Sequence, residues 1–385
     1  MQRKTFLALL VTIPLFAQDE MARARKIAAE MVGIDSHMDT IQRVFYGHAN
    51  LTQRSTSGHS DFPRLREGGM HAPFFALWVP TYYGGAEAVR RTLDLRDAMQ
   101  TVLDANKDTI ELATTAADIE RIVKAGKISI FLTVEGGHQI DDDLAVLRMY
   151  YRMGIRSMTL SHFKNNNWAD SSTDKAVHNG LTPFGKDVVR EMNRLGMLVD
   201  VSHVSDKTFY DAIAVSNKPV ILSHSSCRAI SDIPRNVTDD MIRAVAKNGG
   251  VMGINFGEGF ISPKDAERLR STISSMTSAP VLTGKALDDY AAADYQKELG
   301  SSYKAAATVE DVVAHIDHAV KVGGIDHVGI GSDFDGITGP PQGLEDVSKM
   351  PTLVAALLKH GYSEGDVKKI MGENYLRVIR AVTGK

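Results

Sequence analysis

The sequence predicts an α/β fold, namely a (β/α)8 barrel of the TIM type. Short apolar or β-branched runs alternate with segments of helical period, and eight such runs can be counted along the chain. No proline-rich linker, low-complexity tract or internal repeat divides the 385 residues. Barrels of this kind extend from about 200 to more than 400 residues as one unit. An open, doubly wound sheet is the alternative that the same alternation allows.

The eight candidate strands are short and rich in Val, Ile, Leu, Met and Phe. They lie near residues 31–36, 74–79, 128–134, 156–160, 197–201, 220–222, 251–256 and 327–331.

Helix signals separate most of these strands. Thr182 before Pro183 is a favourable N-cap and first-turn pair, and Thr238 precedes an acidic first turn. Gly196 and Gly249 are stop signals. Between the last two strands, residues 257–307 are polar with a helical period, which predicts an inserted helical segment that could form a lid or cap.

The N-terminus has the pattern of a secretory signal peptide over residues 1–17. A basic start precedes an apolar run, and the small residue Ala17 precedes a polar stretch. This run is shorter than the about 20 residues that span a bilayer. An uncleaved interfacial anchor is the alternative, because Leu15 stands where a small residue is usual. We expect an exported protein, periplasmic or secreted, whose mature chain is a single domain over residues 18–385.

The composition favours a small-molecule substrate over a nucleic acid. With a formal net charge of -3, the chain has no electrostatic reason to attract nucleic acid or an anionic membrane. The C-terminal residues lack the pattern of a lipid-anchor signal, so we expect no stable membrane anchor after signal removal. Cys227 is the single cysteine, which excludes an intrachain disulfide and a multi-cysteine metal site. Metal ligands would have to be histidines and carboxylates.

Side chains that can bind metals recur at the ends of the predicted strands. In a barrel, the loops that follow the strands converge at one end and build the active site there. His37 and Asp39 are two residues apart and project from the same side of an extended chain. Glu135 ends a buried apolar run, where a carboxylate is costly unless it is paired or bound to a cation. His203 and His224 end two later strands, each preceded by a serine.

Taken singly, each of these residues is more often structural than a metal ligand, but their coincidence at one end of the barrel favours a two-metal site. A carboxylate has two oxygens, so Glu135 can bridge two ions. His37 and Asp39 would complete one position, and His203 and His224 the other. Nitrogen and oxygen ligands suit two Zn²⁺ ions best and also fit Mn²⁺ or Co²⁺.

Three further residues are candidates for catalysis and substrate binding. Asp333 follows the last strand and can move a proton from water to a leaving amine, although Asp335 is a similar candidate. His162 ends the fourth strand and can stabilise an oxyanion. Arg235 offers a guanidinium fork for a carboxylate, unless it is a surface loop charge.

Several strings of the sequence resemble the membrane dipeptidase (renal dipeptidase) family of the amidohydrolase superfamily, over nearly the whole mature chain. They are IDSHMD at 34–39, VEGGH at 134–138, LSH at 160–162, NWAD at 167–170, DVSH at 200–203, SHS at 223–225, RNV at 235–237 and KIMGENYLRV at 369–378. The resemblance implies hydrolysis of dipeptides with free ends, often with tolerance of a D-residue on the C-terminal side. It also makes a homodimer an expectation.

The roles that the resemblance implies agree with those above. Glu135 matches the bridging ligand, and the other metal ligands match His37, Asp39, His203 and His224. His162 matches the oxyanion-binding histidine, Arg235 the residue that binds the substrate's C-terminal carboxylate, and Asp333 the acid that shuttles the proton. The expected mechanism is attack on the peptide carbonyl by a hydroxide shared between the two ions.

Two features depart from the family pattern. Residues 257–307 exceed what the animal members carry, and Gly257 stands where some members have a tyrosine that contacts substrate. Two rival functions also fit the ligand set. One is a related amidohydrolase acting on another amide or a lactone, and the other is a non-catalytic binding protein that keeps a metal for stability.

Overall fold

Eight parallel strands close into a barrel, which confirms the predicted fold class over the open sheet. The computed structural model describes residues 15–277, 282–299 and 303–384. The strands are β1 (Ile34–Met38), β2 (Ala72–Trp78), β3 (Ile110–Leu112), β4 (Ile128–Glu135), β5 (Ile155–Thr159), β6 (Leu198–Asp200), β7 (Ile221–Ser225), β8 (Val251–Ile254) and β9 (Val328–Ile330). Around the ring their order is β1, β2, β4, β5, β6, β7, β8 and β9, with β9 pairing back to β1.

All eight predicted strands are present, and the prediction missed one further strand. β3 pairs in parallel with the first residues of β4 and is not a member of the ring. β3 has three residues, of which Ile110 alone is fully buried. Three residues are too few to show an alternation of apolar and polar side chains in the sequence.

Helices cover the outside of the barrel. They are α1 (Leu15–Glu30), α2 (Thr40–Phe45), α3 (Phe62–Gly68), α4 (Gly85–Ala105), α5 (Ala116–Lys124), α6 (Leu144–Arg152), α7 (Pro183–Leu195), α8 (Asp206–Val215), α9 (Asp239–Asn248), α10 (Glu258–Ile261), α11 (Ala266–Thr277), α12 (Gly284–Leu299), α13 (Val309–Gly323), α14 (Met350–Lys359), α15 (Glu364–Lys368) and α16 (Asn374–Thr383). None of the helices in the described part of the chain is long and apolar enough to cross a membrane.

The predicted helix caps are confirmed at α7 and α9. The Thr182 side chain accepts a hydrogen bond from the backbone N–H of Gly185, and Thr238 caps α9 in the same way. Gly196 and Gly249 follow these helices with φ of 82° each, a left-handed conformation that glycine adopts without strain. The predicted signal peptide lies mostly outside the described residues, because α1 begins at Leu15.

Apolar side chains fill the part of the barrel nearer the starts of the strands. Ile34, Phe74, Phe131 and Leu198 belong to one buried cluster with Tyr375, which α16 contributes. The Tyr375 hydroxyl accepts a hydrogen bond of 2.6 Å from Ser36. This packing leaves the opposite end, where the strands terminate, for polar side chains.

The predicted inserted helical segment lies between β8 and β9 and contains α10, α11 and α12. The side chain of Asp288 on α12 connects this segment to α4 and to the loop before α4. Its carboxylate accepts hydrogen bonds from Arg90 at 2.8 and 3.0 Å, from the Tyr83 hydroxyl at 3.0 Å, and from Arg91. We call this set of contacts the Asp288 latch. Tyr295, on the same helix, lines the cavity at the end of the barrel and stacks on Tyr46 with ring centroids 5.3 Å apart.

Candidate metal centre and active site

Glu135 is the last residue of β4, and the predicted metal-ligating side chains surround its carboxylate. Gly136 has φ of 109°, which lets the chain turn directly after Glu135. Oε1 of Glu135 lies 3.0 Å from Nε2 of His203 and 3.2 Å from Nε2 of His224. Oε2 lies 3.3 Å from Nε2 of His37. Each oxygen of the carboxylate therefore faces a different part of the ligand set.

Asp39 completes the group on the Oε2 side. Its Oδ2 atom lies 3.4 Å from Nε2 of His37. On the other side, the Nε2 atoms of His203 and His224 lie 2.9 Å apart. The fold thus brings together all five side chains that the sequence proposed as ligands. Ligand atoms of His37, Glu135 and His224 also form one compact group, so His224 lies within reach of both sides.

These side chains fit a divalent metal. All five are at most 4% exposed, and His37 Nε2, Asp39 Oδ1 and His203 Nδ1 have no hydrogen-bond partner among the described residues. Buried polar atoms normally have partners, so the cluster needs a cation or protons to be stable. Ligand atoms about 2.0–2.1 Å from a tetrahedral zinc are about 3.3 Å apart. The separations of 2.9 to 3.4 Å observed here are close to that value.

His162 lies beside the same carboxylate. Its Nε2 is 3.6 Å from Oε1 of Glu135, and its ring is 4.2 Å from that of His203. Burial lowers the pKa of His162 to about 3, so the imidazole is neutral at physiological pH. By position alone His162 could also be a ligand, because its atoms, Glu135 and His203 form one of the compact groups.

Asp333 faces the group formed by His37 and Asp39. Carboxylate and imidazole atoms of these three residues all lie within 4.8 Å of one another. Oδ2 of Asp333 accepts a hydrogen bond of 3.0 Å from Asn255. Burial raises the pKa of Asp333 well above its usual value, which the charge of His37 opposes. A side chain at Gly336 would clash with the carboxylates of both Asp39 and Asp333, which explains the glycine.

Asp335, the alternative to Asp333, is occupied by structural hydrogen bonds. Its Oδ1 accepts the backbone N–H of His59 at 2.5 Å, and its Oδ2 accepts the hydroxyls of Thr40 at 2.8 Å and Ser60 at 3.0 Å. Asp335 lines the cavity, but its oxygens hold neighbouring loops in place. The geometry favours Asp333 as the acid that faces the metal-ligating side chains.

Arg235 lies behind the metal-ligating residues and under an aromatic ring. One guanidinium nitrogen donates to the backbone carbonyl of His224 at 3.0 Å, and Nε has no partner among the described residues. Phe260 covers it, with the guanidinium carbon 5.0 Å from the ring centroid. Burial lowers the pKa of Arg235 to about 10, so it remains charged at neutral pH. Arg235 is thus buried and not a surface loop charge.

Residues of the insertion line the cavity above the cluster. They are Gly257, Glu258, Gly259, Phe260, Leu269 and Tyr295. A Cβ at Gly257 would lie 2.8 Å from the Phe260 ring, so a larger residue at 257 would require that ring to move. The sequence did not indicate Phe260 or Tyr295, because neither belongs to a recognisable motif and their place at the cavity depends on how the insertion packs.

Metal affinity is expected to fall as the pH falls. Burial disfavours a protonated His37, but the carboxylates of Glu135 and Asp39 outweigh it and raise the pKa of His37 well above its usual value. Below that raised pKa, a metal must displace a proton, which weakens binding. Zinc affinity, measured by chelator competition from about pH 8 to about pH 6, should decrease, with proton release detectable by calorimetry in two buffers. A pH-independent affinity without proton release would contradict this.

Comparisons with known proteins find a matching family and several related proteins. A family model described as membrane dipeptidase (peptidase family M19) matches residues 21–384. A dipeptidase of Claviceps purpurea, tcpJ, is 39% identical over 338 residues, which are 86% of this chain and 70% of that protein.

Two solved structures share the fold over almost their whole length. The probable dipeptidase PvdM from Pseudomonas aeruginosa has a TM-score of 0.81 and 25% identity, covering 95% of this chain and 99% of that one. A metallopeptidase from Rhodobacter sphaeroides, solved with a phosphinate mimic of the dipeptide L-Ala-D-Ala, has a TM-score of 0.76 and 26% identity. The match covers 91% of this chain and 99% of the Rhodobacter sphaeroides chain.

Proposed function

Because the chain belongs to the membrane dipeptidase family and is therefore a peptide-bond hydrolase of the metallopeptidase class, we propose that it cleaves free dipeptides at a two-metal site centred on Glu135. The observation that supports two ions is that the two oxygens of Glu135 face separate groups of ligands. A single ion would leave one of these buried groups uncompensated. Zinc is the proposed metal, because the set contains only nitrogen and oxygen donors.

The five ligands would hold the ions, and two neighbouring residues would act on the substrate. Bound there, divalent ions would activate a water near neutral pH and polarise the peptide carbonyl. The neutral His162 imidazole donates a hydrogen bond to the oxygen on which negative charge develops. Asp333 accepts a proton from the attacking water and returns it to the departing nitrogen. Its hydrogen bond with Asn255 keeps the carboxylate in reach.

Arg235 is proposed to bind the substrate's C-terminal carboxylate. Its unpartnered Nε is a buried donor beside the cluster, and a carboxylate is the acceptor that a guanidinium pairs with best. Phe260 covers the guanidinium, so its ring must turn aside when a carboxylate binds. A fixed carboxylate site close to the reacting bond admits short substrates only.

Three further proposals concern substrate stereochemistry, localisation and oligomeric state. We propose tolerance of a D-residue at the C-terminal position, supported by the Rhodobacter sphaeroides relative with its mimic of L-Ala-D-Ala. Export to the periplasm or medium is proposed from the signal pattern of residues 1–17. A homodimer is proposed from the family resemblance.

A dipeptide panel with added zinc, run beside a chelated sample, tests the function directly. We expect zinc-dependent release of free amino acids from several dipeptides, including some with a C-terminal D-residue. Little turnover on dipeptides, with zinc-dependent cleavage of other amides or lactones, would instead assign the chain to a different amidohydrolase activity. Metal binding without any turnover would indicate a binding protein.

Replacing Arg235 with lysine is expected to raise KM for dipeptides by about 10- to 100-fold, with a smaller change in kcat. Lysine keeps the charge but loses the planar fork that matches a carboxylate. Arg243→Lys is the control, because Arg243 on α9 is exposed and pairs with Asp240 one turn earlier in the same helix. A dipeptide amide, which lacks the carboxylate, should be cleaved no worse by the Arg235 variant than by the wild type. Equal losses on both substrates would contradict this role.

A further inference from the structure

The Asp200 carboxylate, at the end of β6, joins three adjacent strands just below the metal cluster. Its Oδ1 atom accepts the backbone N–H groups of Ser202 at 2.9 Å and Ser223 at 3.0 Å. Its Oδ2 atom accepts the hydroxyls of Thr159 at 2.6 Å and Ser223 at 2.5 Å. Asp200 is 2% exposed, and these four donors fix its orientation.

The hydroxyl of Ser223 connects this carboxylate to a metal-ligating histidine. A serine hydroxyl has one proton, and Ser223 donates it to Asp200. Oγ of Ser223 also lies 2.7 Å from Nδ1 of His224. Because the serine proton is already committed, Nδ1 of His224 must be the donor in this second contact.

A neutral histidine that carries its proton on Nδ1 has a lone pair on Nε2. In His224, that Nε2 atom lies 3.2 Å from Glu135 Oε1 and 2.9 Å from His203 Nε2. It therefore presents a lone pair to the centre of the cluster. This is the tautomer that a metal requires.

We propose that Asp200 and Ser223 are positioning residues that hold His224 in its metal-binding tautomer and thereby set the affinity of the metal position formed with His203. The proposal rests on the proposed two-metal function. The hydrogen bonds run from His224 to Ser223 and from Ser223 to Asp200. Groups that orient metal-binding histidines in this way typically change metal affinity by about 10- to 100-fold when removed.

Asp200→Asn distinguishes orientation from simple support. The two backbone N–H groups at Oδ1 would select the carbonyl oxygen of the asparagine, which places its NH₂ group at Ser223. The amide would then donate to Ser223, whose proton becomes free to donate to Nδ1 of His224. That reversal puts the histidine proton on Nε2, where it blocks a metal.

Zinc titrations against a chromophoric chelator, with thermal unfolding of the metal-free proteins, test the proposal on Ser223→Ala and Asp200→Asn. Each variant should bind one of the two zinc equivalents about 10- to 100-fold more weakly and the other unchanged. Ser157→Ala is the matched control, because within the described part of the chain its buried hydroxyl donates a hydrogen bond only to the backbone carbonyl of Leu198, at 3.3 Å. Ser223→Thr retains a hydroxyl and should restore the lost affinity.

Three results would overturn the proposal. One is wild-type affinity for both equivalents in Ser223→Ala and Asp200→Asn. Another is an equal loss at both equivalents that Ser157→Ala reproduces, which would indicate a general packing effect. The third is a wild-type protein that cannot bind two equivalents, which would remove the proposed function as well. In the first two cases, two bound ions and dipeptide cleavage by the wild type would leave the proposed function standing.

Discussion

Glu135→Gln is expected to lose about 10³-fold or more in kcat/KM, together with at least one of two bound metal ions. A glutamine amide has one acceptor oxygen. If that oxygen faced one group of ligands, the NH₂ group would face the histidine nitrogens of the other group. The variant therefore cannot serve both groups of ligands that lie 3.0 to 3.3 Å from the two carboxylate oxygens. Elemental analysis of the purified protein and a dipeptide hydrolysis assay measure the two losses.

Glu258→Gln is the matched control for this experiment. Glu258 is also a buried glutamate that lines the cavity, but its Oε1 atom accepts a hydrogen bond from Arg268 at 3.0 Å. Its replacement should leave the metal content unchanged. If Glu135→Gln retained two ions and full turnover, the shared-carboxylate interpretation of the site would be wrong.

Asp333→Asn is expected to lower kcat by about 10²- to 10⁴-fold while the metal content and KM change little. An asparagine keeps the shape of the side chain but cannot take up a proton. Burial raises the pKa of Asp333 well above its usual value, which favours a carboxyl group that can hold a proton during the reaction. Steady-state kinetics on the zinc-loaded protein provides the test.

Asp335→Asn should behave differently. Its oxygens accept hydrogen bonds from the Thr40 and Ser60 hydroxyls and from a backbone N–H, so the substitution should lower the free energy of unfolding by about 1–3 kcal/mol. The folded variant should retain most of its kcat. If Asp335→Asn lost kcat while Asp333→Asn turned over normally, Asp335 would be the proton-transferring acid and Asp333 would not.

The barrel was predictable because each strand is a short buried run and parallel strands bring their ends together. That rule was enough to place Glu135 near His203 and His224, although 68 and 89 residues separate them along the chain from this glutamate. The caps at Thr182 and Thr238 were predictable because capping depends on a few adjacent residues.

Other features depend on contacts between distant segments, which no local pattern encodes. The choice between Asp333 and Asp335 depends on which acid meets Thr40 at the start of α2 and Ser60 in the following loop. The ring of Phe260 over Arg235 arises where the insertion packs on the barrel. Both follow from the assembled fold, whereas the sequence shows only that candidate residues are present.

The Asp288 latch bears on which peptides enter the cavity, whereas other residues break the peptide bond. Its residues are not among the proposed metal ligands or catalytic groups, yet Asp288 lies on the same helix as the cavity residue Tyr295. Substitutions in and around the latch can alter which peptides are admitted without touching the residues that break the bond. We therefore expect substitutions at Asp288 to change substrate preference more than the rate of bond cleavage.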